Sequence, residues 1–336
     1  MSATWVRPVQ AGAIHDHGFR QDMPHSNLPS ASIVIPTWRR RALLRRLLFS
    51  IARQSVADRV ELIVVDSDGG DGTAGMVARF SRRVHPVVYL NVRNAISTKR
   101  NAGVVAARSD TLVFFDDDMR LDEPTALDDA LRQLAGATGP VCFRVAYPAA
   151  WCRRSSYYRY KQRGHDVLNA MGGAVPAWRF VTMAFAITRQ QYDAAGGFDE
   201  SFQQYGCEDH AFEFALQARG IVPVLSPTAR IEHREPSATF GQYRRKLVAT
   251  AQHSMPILLQ RCPGARGHRG IAIMEGRLVG TVLRVLPTAL VGRAVQGIAA
   301  LLDRLPADCP PSVFVPLTRL YVAAAYAEGR ARRGAP

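Results

Sequence analysis

The stretch STKRNAGVVAARSDTLVFFDDD, residues 97–118, runs from a helical pattern through a short apolar strand into three adjacent carboxylates. A helix that returns the chain to a buried strand is half of a βαβ unit. The same alternation is written upstream. ASIVIP (31–36) stops at Pro36, and Leu44, Leu47, Leu48 and Ile51 follow at helical spacing. VELIVVD (60–66) leads into a Gly-rich turn, and VVYL (87–90) leads into the helix of the opening stretch. This spacing predicts an α/β fold with a mostly parallel sheet, flanking helices and right-handed crossovers. Ligands of such sheets sit beyond the carboxyl ends of the strands. Pro36, Thr37, Asp66, Asn94 and Asp116 to Asp118 all fall at those ends, so one crevice is expected to collect them.

Composition narrows the class. Of 336 residues, 47% are hydrophobic and 21% charged, which fits a packed globular chain and excludes a membrane bundle or a polar disordered tail. The 43 Lys and Arg against 28 Asp and Glu leave a net charge of +15, which favours an anionic partner: a nucleotide, a nucleic acid or an acidic membrane surface. Five cysteines without a C-x-x-C pair support neither a disulfide framework nor a zinc ribbon. The first twenty residues hold no apolar signal region, and no uninterrupted apolar run reaches the roughly 18 residues of a spanning helix. A cytoplasmic protein is the expectation.

Three neighbouring carboxylates repel one another unless a cation or strong donors neutralise them. At a strand end over a crevice, such acids read as a divalent metal site, and oxygen ligands point to Mg²⁺ or Mn²⁺. An ion held by one or two carboxylates and completed by phosphate oxygens suits a nucleotide diphosphate, whose departure it assists. Downstream, YGCEDHAFEFALQARG (205–220) offers Glu208 and Asp209 at the start of an amphipathic helix ended by Gly220. A positioned carboxylate such as Asp209 can take the proton of an attacking hydroxyl. The competing reading is that Glu208 and Asp209 are acids favoured at a helix N-terminus.

Taken in order, SIVIPTWRRRALLRRLLFSIARQ, ELIVVDSDGGDGT, the opening stretch, GGFDESF and YGCEDHAFEFALQARG resemble the family 2 glycosyltransferases of the GT-A fold, over roughly residues 31–235. The resemblance implies a Rossmann-like, metal-dependent inverting glycosyltransferase with a nucleotide-diphosphate sugar donor. UDP is the expected nucleotide, with GDP and dTDP open. The acceptor would be a hydroxyl on a glycan, a lipid-linked glycan or a natural product. It implies that Pro36 and Thr37 border the nucleobase and ribose, that Asp66 hydrogen-bonds the base, and that Arg100 lies near the phosphates. Asp116 would approach ribose and metal, Asp117 fills the variable middle position, and Asp118 is the principal metal ligand. His233 matches a position that meets the metal or the diphosphate, and Asp209, with Glu208 beside it, is the base. The chain departs from many relatives in carrying Tyr205-Gly206-Cys207 where they have Trp-Gly-Gly.

Two other readings compete. GDGTAG (70–75) is a formal dinucleotide fingerprint, but it follows the second strand, and the next strand ends without the acid a ribose would need. RRSSYYRYKQR (153–163) interleaves Arg and Tyr, which motivates a nucleic-acid-binding protein without catalytic activity. Residues 147–177 as a whole read as a long loop or insertion, and 153–163 within it as a mobile cover over donor or acceptor. The expected organisation is a leader at 1–30, a GT-A catalytic domain at 31–240 and a helical C-terminal region at 241–336. Within the last, residues 277–304 are apolar but punctuated by Arg284, Pro287 and Arg293, and read either as packed helices or as a peripheral contact with anionic lipid.

Overall fold

The computed structural model describes residues 30–67, 69–81, 87–176, 178–267, 271, 288–306 and 308–334. The expected leader, except Ser30, and residues 277–287 of the apolar tail lie outside them. In chain order the elements are β1 (Ala31–Pro36), α1 (Arg41–Ile51), β2 (Val60–Asp66), α2 (Thr73–Ser81), β3 (Val87–Asn91), α3 (Ile96–Ala106), β4 (Thr111–Phe115) and β5 (Met119–Arg120). There follow α4 (Ala126–Gly136), β6 (Val141–Ala146), α5 (Ala149–Arg154), α6 (Ser156–Met171), β7 (Gly173–Ala174), β8 (Ala184–Thr188), α7 (Arg189–Ala195), α8 (Glu208–Gln217) and β9 (Val224–His233). Helices α9 (Phe240–Ala249), α10 (Met255–Arg261), α11 (Thr288–Arg304) and α12 (Pro311–Ala331) complete the chain. Two compact units emerge: up to Ala146 with Leu168–Glu200 and Ala215–Arg234, and Tyr147–Val167 with Ser201–Phe214 and Glu235–Pro336.

The first unit holds the sheet, in the order β3-β2-β1-β4-β8-β6-β9-β5, with β7 added to β9. Strands β1 and β2 are buried along their whole length, as parallel strands covered on both faces must be. The expected parallel pairing holds across β3-β2-β1-β4. Beyond β4 the sheet is mixed: β8 runs antiparallel to β4 and β6, and β5 antiparallel to β9, while β6 and β9 are parallel. Two polar residues inside the β1–β2 pair are satisfied locally. Ser32 Oγ donates to Glu61 Oε1 at 2.5 Å, and the same carboxylate accepts the Arg108 backbone N–H at 2.7 Å and Arg108 Nε at 2.6 Å.

Helix α3 lies close on β1 because Gly103 has no Cβ. A methyl group there would overlap Val34 Cγ1.

In the second unit, residues expected to form a long loop are helical. Tyr157 and Tyr158 of α6 are buried, Tyr157 packs edge-on against Phe240, and Arg159 lies over the Phe314 ring. The Tyr158 hydroxyl donates to Glu235 O at 2.7 Å and accepts the Ala238 N–H at 3.0 Å. Read by composition, Arg and Tyr in alternation look like a nucleic-acid surface. Read by helical period, Tyr157, Tyr158 and Tyr160 share one inward face while Arg163 is exposed, so the rings are not available to stack on bases. Helix α9 starts on a capping box between Thr239 and Gln242 and packs with α11 and α12, where Tyr321 Oη donates to Phe240 O. Residues 288–304 are thus a packed helix. Among the described residues no helix is long and apolar enough to cross a membrane.

Gly103→Ala should raise helix propensity yet destabilise the protein. The overlap with Val34 should cost about 1–3 kcal/mol, more than the roughly 1 kcal/mol gained in an exposed helix. Urea denaturation of the variant checks this.

Candidate active site

Parallel pairing of β1 with β4 sets the loop after Pro36 beside the acids that follow Phe115. Thr37 Oγ1 donates to Asp117 Oδ2 at 2.7 Å. One guanidinium nitrogen, Arg40 Nη1, bridges Asp117 Oδ1 at 2.9 Å and Asp118 Oδ2 at 2.8 Å. Arg100, itself buried, reaches Asp116 Oδ1 at 3.0 Å and lies over the Phe198 ring. The two-residue strand β5 then pairs with the end of β9, Met119 opposite His233. That register sets His233 Nε2 3.4 Å from Asp118 Oδ1 and lets Arg234 N–H donate to Asp118 O at 2.6 Å. Asp116 therefore meets a cation from α3, Asp117 and Asp118 share one from the first loop, and Asp118 also meets the imidazole of His233 from β9.

Burial and the neighbouring Asp118 push the Asp117 carboxyl up, to about 7, against the pull of Arg40 and Thr37. Burial works against ionisation of Asp118 too, but His233 and Arg40 prevail and hold it well below the usual carboxylate range. Asp116 is raised by burial, with Arg100 opposing; its side chain is one-third exposed, so solvent relieves part of that penalty. Lys99 is buried beneath the same corner, donating to Thr37 O at 2.7 Å and Asn94 Oδ1 at 2.8 Å. Burial lowers its pKa to about 8, although Asp66 and Asp117 resist.

Of the other expected donor-side residues, Pro36 closes β1 and is buried, and Asp66 is fully buried at the end of β2. The Asp66 carboxylate accepts Tyr89 Oη at 2.8 Å and Ser67 N–H at 2.7 Å. Sequence reasoning passed over Arg40 and Lys99. Arg40 was hidden in the run Arg39-Arg40-Arg41, and Lys99 next to Arg100. Arg40 lies four residues beyond the end of β1 and Lys99 in the first turn of α3, each close to the carboxyl ends of the parallel strands.

Asp118 Oδ1 is buried and makes no hydrogen bond. Two donors adjacent on a six-coordinate ion with bonds of about 2.1 Å lie about 3 Å apart. The 3.4 Å between Asp118 Oδ1 and His233 Nε2 is close to that span, so this pair fits a small divalent ion. Among the described residues no group of three or more His, Cys, Asp or Glu side chains surrounds an ion by itself. A Mg²⁺- or Mn²⁺-like ion that takes one or two protein ligands and phosphate oxygens needs no such group.

In the second unit, Gly206 and Cys207 both adopt positive φ, 94° and 71°, immediately before Glu208 and Asp209 open α8. A side chain is strained in that region, and Cys207 stands where the resemblance has glycine. The turn is held from behind by a π-helical turn, Thr250–Ser254. Thr250 Oγ1 and Ser254 Oγ donate to Tyr205 O at 3.1 and 2.9 Å. Asp209 Oδ1 accepts the His210 N–H at 2.8 Å. Burial lowers the His210 pKa, but Asp209, Glu213 and Glu208 outweigh it and raise the value. Lys161 is pulled below the ordinary lysine range by burial, against Glu235 and Asp209.

A sheet with a parallel half, β3-β2-β1-β4, and an acid cluster beyond β4 defines the class, a GT-A glycosyltransferase fold. A mannosyltransferase from Pyrobaculum calidifontis, solved in complex with GDP-Man and Mn²⁺, superposes with a TM-score of 0.57 over 91% of this chain and 87% of that one, at 21% identity. Residues 32–189 match the family model for glycosyl transferase family 2, and residues 162–232 match that for the N-terminal domain of galactosyltransferase. Residues 32–189 form a glycosyl transferase family 2 domain. It is 27% identical to validoxylamine A glucosyltransferase of Streptomyces hygroscopicus over 233 residues, 60% of this chain and 51% of that protein. It is 35% identical to 4,4'-diaponeurosporenoate glycosyltransferase of Staphylococcus haemolyticus over 109 residues, 32% of this chain and 28% of the relative. The chain spans about half the length of the validoxylamine A glucosyltransferases it matches.

The acid cluster makes a pH prediction in the presence of a chelator. The folded pKa of Asp117 lies above its unfolded value, so its ionisation costs native stability as pH rises from about 4 through about 7. Asp117→Asn cannot ionise. Its denaturation midpoint should match the parent near pH 4 and exceed it near pH 8, by on the order of a few kcal/mol in stability.

Proposed function

We propose that the protein is an inverting glycosyltransferase that moves a sugar from a nucleotide-diphosphate donor to a hydroxyl acceptor with Mn²⁺ or Mg²⁺ bound. The observation that carries this reading is the buried Asp118 Oδ1, without a hydrogen bond and 3.4 Å from His233 Nε2. Asp118 and His233, with Asp116 beside them, would hold the ion, whose charge offsets the negative charge growing on the departing diphosphate. Pro36, Thr37 and Asp66 take the nucleoside, and Arg100 and Asp117 brace the phosphate side of the site. Asp209 accepts the acceptor's proton, with Glu208 as its neighbour. One base and an assisted leaving group give inversion without a covalent intermediate. The family resemblance favours a UDP-sugar, whereas the solved mannosyltransferase holds GDP-Man. The names of the relatives include acceptors as unlike as validoxylamine A and 4,4'-diaponeurosporenoate, so the proposal stops at the hydroxyl class. A cytoplasmic enzyme is the proposed setting.

Calorimetry with UDP and with GDP, each with Mn²⁺, with Mg²⁺ and with chelator, tests the donor half. Binding of one nucleotide should depend on the ion and vanish in Asp118→Ala; equal affinity in every condition sinks the metal role. Arg40 already supplies positive charge to Asp117 and Asp118, so it competes with any ion. Arg40→Met should tighten binding of Mn²⁺ alone, and His233→Ala should weaken it, both read by titration without nucleotide.

For the acceptor half, Asp209→Asn keeps the size of the side chain but cannot take a proton at neutral pH. Nucleotide and Mn²⁺ affinity should stay at the parent value while transfer falls about 10²- to 10⁴-fold. Transfer near the parent rate would move the base to Glu208 or to an acid elsewhere.

A further inference from the structure

A cavity of about 450 Å³ opens among the C-terminal helices, lined by Arg244, Arg293 and Arg332 with Ala289, Gly292 and Gln296. Its arginines meet one internal acid. Glu328 is fully buried and accepts Arg244 Nε at 2.8 Å and Arg332 Nη2 at 2.6 Å, with Arg244 Nη2 as a further donor. Three positive charges against one negative leave the lining with two in excess. Arg293 is exposed and makes no ion pair or hydrogen bond among the described residues. Gly292 keeps the wall thin, since a Cβ there would stand 3.2 Å from Glu328 Oε1 and 3.3 Å from Arg244 Nη2. A roomy cavity rimmed by guanidinium groups with fork geometry suits a phosphate.

The helix that carries Arg293 has a second feature. Val291, Val295, Ala299 and Leu302 form its buried stripe, at i, i+4, i+8 and i+11. Leu290, Ala294, Gly297 and Leu301 form another stripe at the same spacing type, and Leu290 and Leu301 are 50% and 49% exposed. At 100° per residue, Arg293 falls between the cavity-lining residues and this apolar stripe. A soluble phosphate has no use for exposed leucines, and a nucleic-acid backbone would call for further cations in their place. An anionic lipid supplies both partners, a phosphate for the cavity and an apolar layer for the stripe.

We propose that the Arg244–Arg293–Arg332 cavity binds the phosphate headgroup of an anionic lipid while the Leu290–Leu301 stripe of α11 enters the lipid surface. The site belongs to the C-terminal helices alone and stands whether or not the transfer reading holds. It gives the whole chain, at a net charge of +15, a defined point of contact with an acidic membrane.

The test is flotation of the full chain with vesicles of phosphatidylcholine alone and of phosphatidylcholine mixed with phosphatidylglycerol. The protein should float only with the anionic vesicles and should be released by salt. Arg293→Gln should weaken binding about fivefold, the effect of one basic residue at such a surface. Leu290→Ser combined with Leu301→Ser should also weaken it, with an unchanged thermal midpoint as the folding control. Equal flotation with both vesicle types, no flotation, or variants that bind like the parent overturn the proposal. Binding of soluble glycerol phosphate as tight as that of vesicles reassigns the cavity to a free phosphate. Self-association abolished by the leucine substitutions, read by sedimentation velocity, reassigns the stripe to a second copy of the chain.

Discussion

A carboxylate that cannot reach water has to be neutralised where it stands, and Asp118 is that carboxylate here. Burying an unpaired charge costs several kcal/mol, so the geometry that brings Arg40 and His233 to Asp118 is a condition of folding as well as of chemistry. Three separate features meet that condition. The β1–β4 pairing delivers Arg40, the two-residue β5 delivers His233 through its register with β9, and Arg234 N–H secures the Asp118 carbonyl. If β9 slipped by one residue, Glu232 would face the acids in place of His233, and a fourth negative charge would join the three.

The same logic recurs through the chain and explains how a strongly basic protein uses its surplus. Arg108 meets the buried Glu61, Arg100 meets Asp116, and Arg244 meets the buried Glu328. In each case the guanidinium and the acid belong to different elements or their ends, so the pair ties two parts of the chain together. Breaking such a pair leaves a buried charge alone, which is costlier than never having had it. Arg40 is 38% exposed, so it can leave its carboxylates without stranding itself in the interior.

The Glu208–Asp209 turn is held by a different device. Two consecutive residues with positive φ, one of them Cys207, are kept in place by hydrogen bonds from Thr250 and Ser254. A single non-glycine residue in this conformation costs about 1–2 kcal/mol, and such strain persists only where neighbouring structure over-determines it. The π-helical turn supplies that support. It aligns two hydroxyls, four residues apart, on one carbonyl, that of Tyr205. Aromatic packing joins α6 to α9 and α9 to α12 in the same unit.

Local pattern determined the parallel half of the sheet, the helices that alternate with it, and the three acids at the end of β4. Those features rest on hydrophobic period and on strand ends, which a chain displays along its own length. The Glu208–Asp209 pair at a helix start was legible for the same reason. Tertiary structure alone decided the rest. The helical state of residues 149–171 depends on tyrosines turned onto Phe240, a contact more than 80 residues away for Tyr157. That Arg40, one of three adjacent arginines, is the one on Asp117 and Asp118 depends on the path of the chain after Pro36. The antiparallel direction of β8 and the π-helical turn have no periodic signature, because their hydrogen bonds are made with segments that only the folded chain brings near. Period is a property of neighbours in sequence, whereas neutralising a buried charge is a property of neighbours in space.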